Sequence, residues 1–123
     1  MEMITVQSET RSHFETMNTP NGRPVAVLRF EGDIASTSGD AVLGAYQALP
    51  ADSNSLILDF AGVEYINSSG IALVIQLLME ADAAGQKVSI CGLTPHFTKV
   101  FTMVGIPKYA ALFPTPAEAV AAL

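Results

Sequence analysis

Ser55-Leu56-Ile57-Leu58-Asp59-Phe60, then Asn67-Ser68-Ser69-Gly70, then Ile71-Ala72-Leu73-Val74-Ile75-Gln76-Leu77-Leu78-Met79 is the stretch on which the fold turns. The first run is short and almost unbroken in its apolar character, as in a central strand covered on both faces. A loop follows. From Gly70 to Ala84 the spacing predicts the longest helix, with Ile71, Val74, Ile75 and Leu78 on one face. Leu73, Leu77 and Met79 widen that face, and Gly85 is the expected C-terminal stop. A buried strand feeding a largely buried helix is the first half of a parallel crossover unit.

Working outward, the same grammar repeats. Towards the N-terminus, Ile4 to Ser8 and Arg11 to Met17 read as one strand, and Pro24 to Phe30 as a second. Thr19-Pro20-Asn21-Gly22 between them predicts a tight hairpin turn, with Asn-Gly supplying positive φ angles. Ser36-Thr37-Ser38-Gly39-Asp40 offers N-cap hydroxyls to an amphipathic helix carrying Val42, Ala45, Tyr46 and Leu49, stopped by Pro50. Towards the C-terminus, Lys87 to Cys91 is a strand. Thr94-Pro95 caps a helix with Phe97, Val100, Phe101 and Val104 inward, and Gly105 and Pro107 end it. Tyr109 to Phe113 is a short strand, and Thr115-Pro116-Ala117-Glu118 opens a last helix running to Leu123. The order β-β-α-β-α-β-α-β-α predicts an α/β domain: a mixed, largely parallel sheet with an N-terminal antiparallel hairpin and about four helices. Residues 1–123 are expected to form a single domain, with no internal repeat or linker.

Composition narrows the function classes. With 123 residues, 50% of them hydrophobic, the chain can bury a core without staples. The single cysteine, Cys91, excludes an internal disulfide framework and a multi-cysteine metal site. A net charge of -6 and six scattered basic residues argue against nucleic acid as a partner. Ile71 to Met79 falls well short of the roughly 20 apolar residues of a membrane span, so no membrane insertion is expected. The start lacks the basic and apolar regions of a signal peptide, which predicts a cytoplasmic protein. No phosphate-loop, dinucleotide, zinc-protease or nucleophile-elbow motif is present, so neither catalysis nor a cofactor or metal is expected. Cys91 reads as a core residue and His96 as a first-turn surface residue.

Asp59 resembles in position the phosphoacceptor of a receiver domain, but the paired acidic site and lysine of such a site are missing. A capping role around Gly62 fits it better. Ser68 and Ser69 sit where loops at the carboxyl ends of strands enter helices, the usual ligand position in open α/β sheets. Two readings of Asn67-Ser68-Ser69-Gly70 stand side by side. Asn and Ser are preferred N-caps, a structural role. A phosphorylated hydroxyl there, adding a near-dianion, would be tolerated by the fold while altering a docked surface.

Leu56-Ile57-Leu58-Asp59-Phe60-Ala61-Gly62-Val63-Glu64-Tyr65-Ile66-Asn67-Ser68-Ser69-Gly70-Ile71 resembles the core signature of the STAS domains, the anti-sigma factor antagonists. In that family a strand ending in Asp leads into an Asp-Ser-Ser/Thr-Gly-Leu/Ile motif opening a helix. Gly85-Gln86-Lys87-Val88, Ser89 to Cys91 and Phe101-Thr102-Met103-Val104-Gly105-Ile106 continue the resemblance, which covers about residues 24 to 123. It implies a partner-switching regulator with no catalysis of its own. Unphosphorylated, such a domain binds an anti-sigma factor that is also a serine kinase. Phosphorylation of the hydroxyl before the motif glycine breaks the complex, and a PP2C-type phosphatase restores it. That residue is Ser69 here, with Ser68 as the alternative. Partner contacts are implied at Asp33, Ser36, Asn67, Ser68, Ser69 and Gly70, in the Asp33 to Ser38 loop and the start of the Gly70 helix.

The sequence departs from the family twice. Asn67 replaces the motif aspartate, and the Gly-Glu-Leu-Asp loop reads Gly32-Asp33-Ile34-Ala35. Together, Asn67 and Ala35 remove two carboxylates that the resemblance implies near the phosphorylated hydroxyl, which weakens the case for phosphorylation of Ser69, while an Asn side chain still serves as a cap. An alternative therefore keeps the fold and drops the switch: a STAS-type structural or regulatory subunit of a stress-sensing assembly or a lipid-transport complex. An unrelated small-molecule-binding α/β domain is a third reading, with no cofactor motif behind it. The hairpin around Asn21-Gly22 offers an edge for self-association.

Overall fold

The computed structural model describes residues 9–50 and 52–123. Among these, five strands and four α-helices follow in the expected order. The strands are β1 (Arg11–Asn18), β2 (Pro24–Ile34), β3 (Ser55–Ile66), β4 (Lys87–Cys91) and β5 (Ala110–Phe113). The helices are α1 (Ala45–Gln47), α2 (Ser68–Ala83), α3 (Pro95–Met103) and α4 (Pro116–Ala121). The expected extension of the first strand over Ile4 to Ser8 lies outside the described residues.

The sheet runs β1-β2-β3-β4-β5 in sequence order, antiparallel only between β1 and β2. Parallel crossovers of one hand, all stepping the same way along a sheet, place their helices on one face. Accordingly Val42, Val74, Leu77, Leu78, Phe97 and Phe101 bury with Leu28, Phe30, Leu56, Leu58, Phe60 and Ile90 in the main core. α4 follows the last strand and takes the opposite face, where Ala119 and Val120 pack on Val25, Val27, Ile57 and Cys91. β3 is covered on both faces, as its unbroken apolar run predicts.

Several details differ from the sequence reading. Gly22 has a positive φ of 82°, but Asn21 does not share it. Gly22 N–H donates to Thr19 O at 2.8 Å and Thr19 N–H to Arg23 O at 2.8 Å. The loop is thus a three-residue type I turn with a glycine bulge, for which Pro20 presets φ. The Ser36 helix is irregular: a 3₁₀ turn (Ser36–Ser38), a π turn (Asp40–Gly44) and only then α1. Its N-cap positions, Ala35, Gly39 and Gly44, make no side-chain cap bond, and Gly39 and Gly44, poor helix formers, bracket the π turn. Met79 is 52% exposed and Val104 48%, so neither widens an apolar face.

The largest difference concerns the two central strands. β2 continues through Ile34 and β3 through Ile66, where a short strand and a loop were expected. They stay paired to Ile34↔Ile66 because β3 absorbs extra residues at register shifts between Arg29/Glu31 and Gly32/Asp33. Asp59 sits inside β3 rather than at its end. Its Oδ1 accepts the Ala61 N–H at 3.0 Å, just where the register slips, and its Oδ2 accepts from Arg29 Nε at 3.1 Å. That is the capping role expected of Asp59, applied to a bulge.

Candidate functional site

Extending β2 and β3 side by side delivers their following segments to one place. After Ile34 comes the 3₁₀ turn Ser36–Ser38, and after Ile66 comes the start of α2. Asn67 is the N-cap, in extended geometry (φ -85°, ψ 178°), and its Oδ1 accepts the Gly70 N–H at 2.8 Å. Its own N–H donates to Ile34 O at 3.1 Å, stitching the helix start to the end of β2.

Gly70 completes the joint. A Cβ on it would stand 2.3 Å from Ile34 O and 2.9 Å from Ile66 Cγ2. Only glycine lets α2 descend this close to both strand ends. The consequence reaches the side chains before it: with Asn67 bonded inward and Gly70 packed, Ser68 and Ser69 are both exposed on the first turn. First-turn N–H groups have no intrahelical acceptor, and the helix dipole favours negative charge there. α2 carries no acidic residue in that turn to occupy the position.

Of the sequence-assigned residues, the structure brings Asn67, Ser68, Ser69 and Gly70 together with Ser36 and Asp33. Ser36 is exposed on the 3₁₀ turn. Asp33 is half-buried at the end of β2, paired with Tyr65, and so belongs to a strand rather than to the expected loop. Beside it lies a cleft of about 380 Å³ lined by Glu9, Thr10, Asp33, Thr37, Ser38, Asp40 and Ala41. Neither Asp33 to Asp40 nor Gly62 to Ala83 contains a Lys or Arg, so the segments around Ser69 carry no cation of their own.

Ser38, rather than Ser36, is the hydroxyl that builds this loop. It is buried, and its Oγ accepts the Ala35 N–H at 2.9 Å. Thr10 Oγ1 donates to Asp33 O and is hydrogen-bonded to Ser38 Oγ, which ties the approach to β1 onto the loop. Sequence reasoning gave Thr10 and Ile34 no part of their own in the site. Ile34 acts through its backbone carbonyl, which leaves no signal in residue type, and the Thr10 hydroxyl finds its partners only through the fold. Tyr65, 51% exposed, stands edge-on to Phe97 at 6.3 Å and adds an aromatic to the same end of the sheet.

Elsewhere the titratable groups are structural. Burial, then the neighbouring Asp59 carboxylate, pushes the Cys91 thiol up to about 12, so it stays protonated and unreactive. Among the described residues, no group of three His, Cys, Asp or Glu side chains is placed to hold a metal ion. No described helix is long and apolar enough to cross a membrane.

The architecture and the helix-capping Asn-Ser-Ser-Gly turn define a STAS-type domain, and comparison with known families agrees. The model described as "Mlab, STAS domain" matches residues 18–114, from the hairpin turn to the end of β5. The chain belongs to the STAS domain family. No curated protein matches it. Among solved structures it is similar to an anti-sigma factor antagonist from Mycobacterium paratuberculosis, at 20% identity over 90% of this chain and 91% of that one, TM-score 0.74. It is also similar to the phosphorylated form of the Bacillus cell fate determinant SpoIIAA, at 21% identity over 88% and 96%, TM-score 0.62. A sulfate transporter family protein from Wolinella succinogenes matches at 13% identity over 76% and 80%, TM-score 0.67. The resemblance read from Leu56 to Ile71 is thereby borne out for family and fold.

Proposed function

We propose that this protein is an anti-sigma factor antagonist that works by partner switching. Unphosphorylated, it docks an anti-sigma factor with serine-kinase activity through Ser36, Asp33 and the first turn of α2. Phosphorylation of Ser69, or alternatively Ser68, releases the partner, and a PP2C-type phosphatase resets the domain. In this reading the protein is a ligand and a substrate, acts in the cytoplasm and controls sigma-factor-dependent transcription. The observation that carries it is the exposure of Ser69, with Ser68, on a turn whose flanking residues Asn67 and Gly70 are fixed inward. A phosphate there adds roughly -1.5 to -2 charges, and neither Gly62 to Ala83 nor Asp33 to Asp40 has a lysine or arginine to absorb them. Repulsion and desolvation then act on the docked partner rather than on the fold.

The test is intact mass after incubation with ATP and the kinase-type anti-sigma factor of the same genome. One added phosphate is expected, absent in Ser69→Ala. Ser69→Glu is expected to weaken anti-sigma binding by about tenfold or more, through like-charge contact, without loss of folding.

A second reading has its own support. The neutral Asn67 and the likeness to a transporter family protein favour a STAS-type subunit of a transport or stress-sensing assembly, not switched by phosphate. No phosphorylation, together with tight binding to a transporter or assembly subunit, would decide for it.

A further inference from the structure

The outer edge of β1 takes no part in the docking site, and among the described residues nothing pairs with it. The hairpin closes on the hydrogen bond from Thr19 N–H to Arg23 O. Antiparallel ladders alternate, so Met17, Glu15, His13 and Arg11 turn their backbone groups towards β2. Asn18, Thr16, Phe14 and Ser12 turn theirs outward. Pro24 fits this phase: it lies opposite Asn18, at a position that needs no N–H.

The side chains of this edge are self-complementary. On the face opposite the α1–α3 layer, Arg11 pairs with Glu31 at 3.2 Å, His13 with Glu31 at 2.9 Å, and Glu15 with Arg29. On the other face Phe14 is 51% exposed between Ser12 and Thr16. Placing two copies of β1 antiparallel with Phe14 opposite Phe14 joins outward backbone groups to outward backbone groups. It overlaps residues 11–17 of both strands. Each His13 then faces the partner's Glu15, and the two exposed phenylalanine rings cover one another. Of the two adjacent registers, one sets His13 against the partner's His13 and leaves Thr16 to Asn18 overhanging, and the other sets Glu15 against the partner's Glu15, like charge against like.

We propose that the outer edge of β1 is the interface at which a second copy of this chain binds, with Phe14 on the two-fold axis, joining two sheets into one. Because the strands run antiparallel across that axis, the Ser69 surfaces point to opposite ends of the joined sheet. Both remain open to partners.

Cysteine cross-linking of the full chain tests the register, since the native Cys91 is buried. Under mild oxidation, Phe14→Cys is expected to give a disulfide-linked dimer. Thr16→Cys is expected to stay unlinked alone and to link when mixed with Ser12→Cys. Light scattering should give twice the 13.0 kDa chain mass for the unmodified protein. Thr16→Pro removes only an outward N–H, once per copy. It should weaken self-association by about tenfold or more with an unchanged circular dichroism spectrum. A monomer up to about 100 μM, where even weak specific pairs associate, would overturn the proposal. So would self-linking of Thr16→Cys without that of Phe14→Cys, or a dimer indifferent to Thr16→Pro in a folded protein.

Discussion

Ser36-Thr37-Ser38-Gly39 and Asn67-Ser68-Ser69-Gly70 are nearly interchangeable as strings, each following a strand and opening a helical segment, and they stand side by side in the molecule. They use their hydroxyls in opposite directions. In the first, Ser38 turns inward, satisfies the Ala35 N–H and joins Thr10, and the helical segment behind it is irregular. In the second, Asn67 makes the inward bond alone, the helix starts cleanly, and Ser68 and Ser69 are left outside. Their glycines differ in the same way. Gly39 has nothing within 4 Å of a would-be Cβ, whereas Gly70 is pressed against Ile34. The pair teaches that a small-polar run is sorted into framework and exposed surface by its neighbours' backbone, not by its own composition.

That contrast can be broken by substitution. Gly70→Ala should be the most damaging change, because backbone, rather than a flexible side chain, occupies the Cβ position. A loss of about 3 kcal/mol or more is expected, seen as a fall in melting temperature of roughly 10 °C or more. Equal stability would mean that α2 can slide off Ile34. Next come the inward polar groups. Urea titration of Ser38→Ala should lose about 1–3 kcal/mol, since it orphans a buried N–H. Asn67→Ala should lose about 0.5–2 kcal/mol as a cap deletion. Ser36→Ala and Ser69→Ala should each fall within about 0.5 kcal/mol of the unmodified protein. If Ser36→Ala cost more than Ser38→Ala, the assignment of framework and surface in the first segment would be reversed. The one change expected to act in the opposite sense is at Gly39, whose φ of -53° and ψ of -48° suit any residue. Gly39→Ala should stabilise by about 0.4–1 kcal/mol, through the unfolded chain.

Much of this was legible in the residues. Strand order, the caps at Thr94 and Thr115, the stop at Gly85 and the burial of Cys91 follow from local pattern, since each rests on bonds within a few residues or on apolar periodicity. What could not be read was non-local. Ala61-Gly62-Val63-Glu64-Tyr65 looks like a loop because bulges destroy its alternation. It is a strand only because Glu31 to Ile34 runs alongside. Ser36 and Ser38 are equivalent in the string, and only Thr10 and Ala35, brought in by the fold, choose between them. The motif glycine could be noticed in the sequence, but its reason, the Ile34 carbonyl, lies on another strand.

The outgrowth of β2 and β3 has a consequence for motion. β4 pairs with β3 only as far as Asp59↔Cys91 and β1 with β2 only as far as Arg11↔Glu31, so among the described residues the sheet narrows to a two-strand ribbon from Gly32 and Val63 onward. The candidate site stands at the tip of this ribbon, on a stiff root of Leu56 to Asp59 ladder-bonded from both sides. Local opening of such a tip need not wait for the whole domain to unfold. A bound partner would therefore damp the ribbon's own fluctuations, and its departure would restore them: the site can report occupancy as a change in tempo as well as in contact.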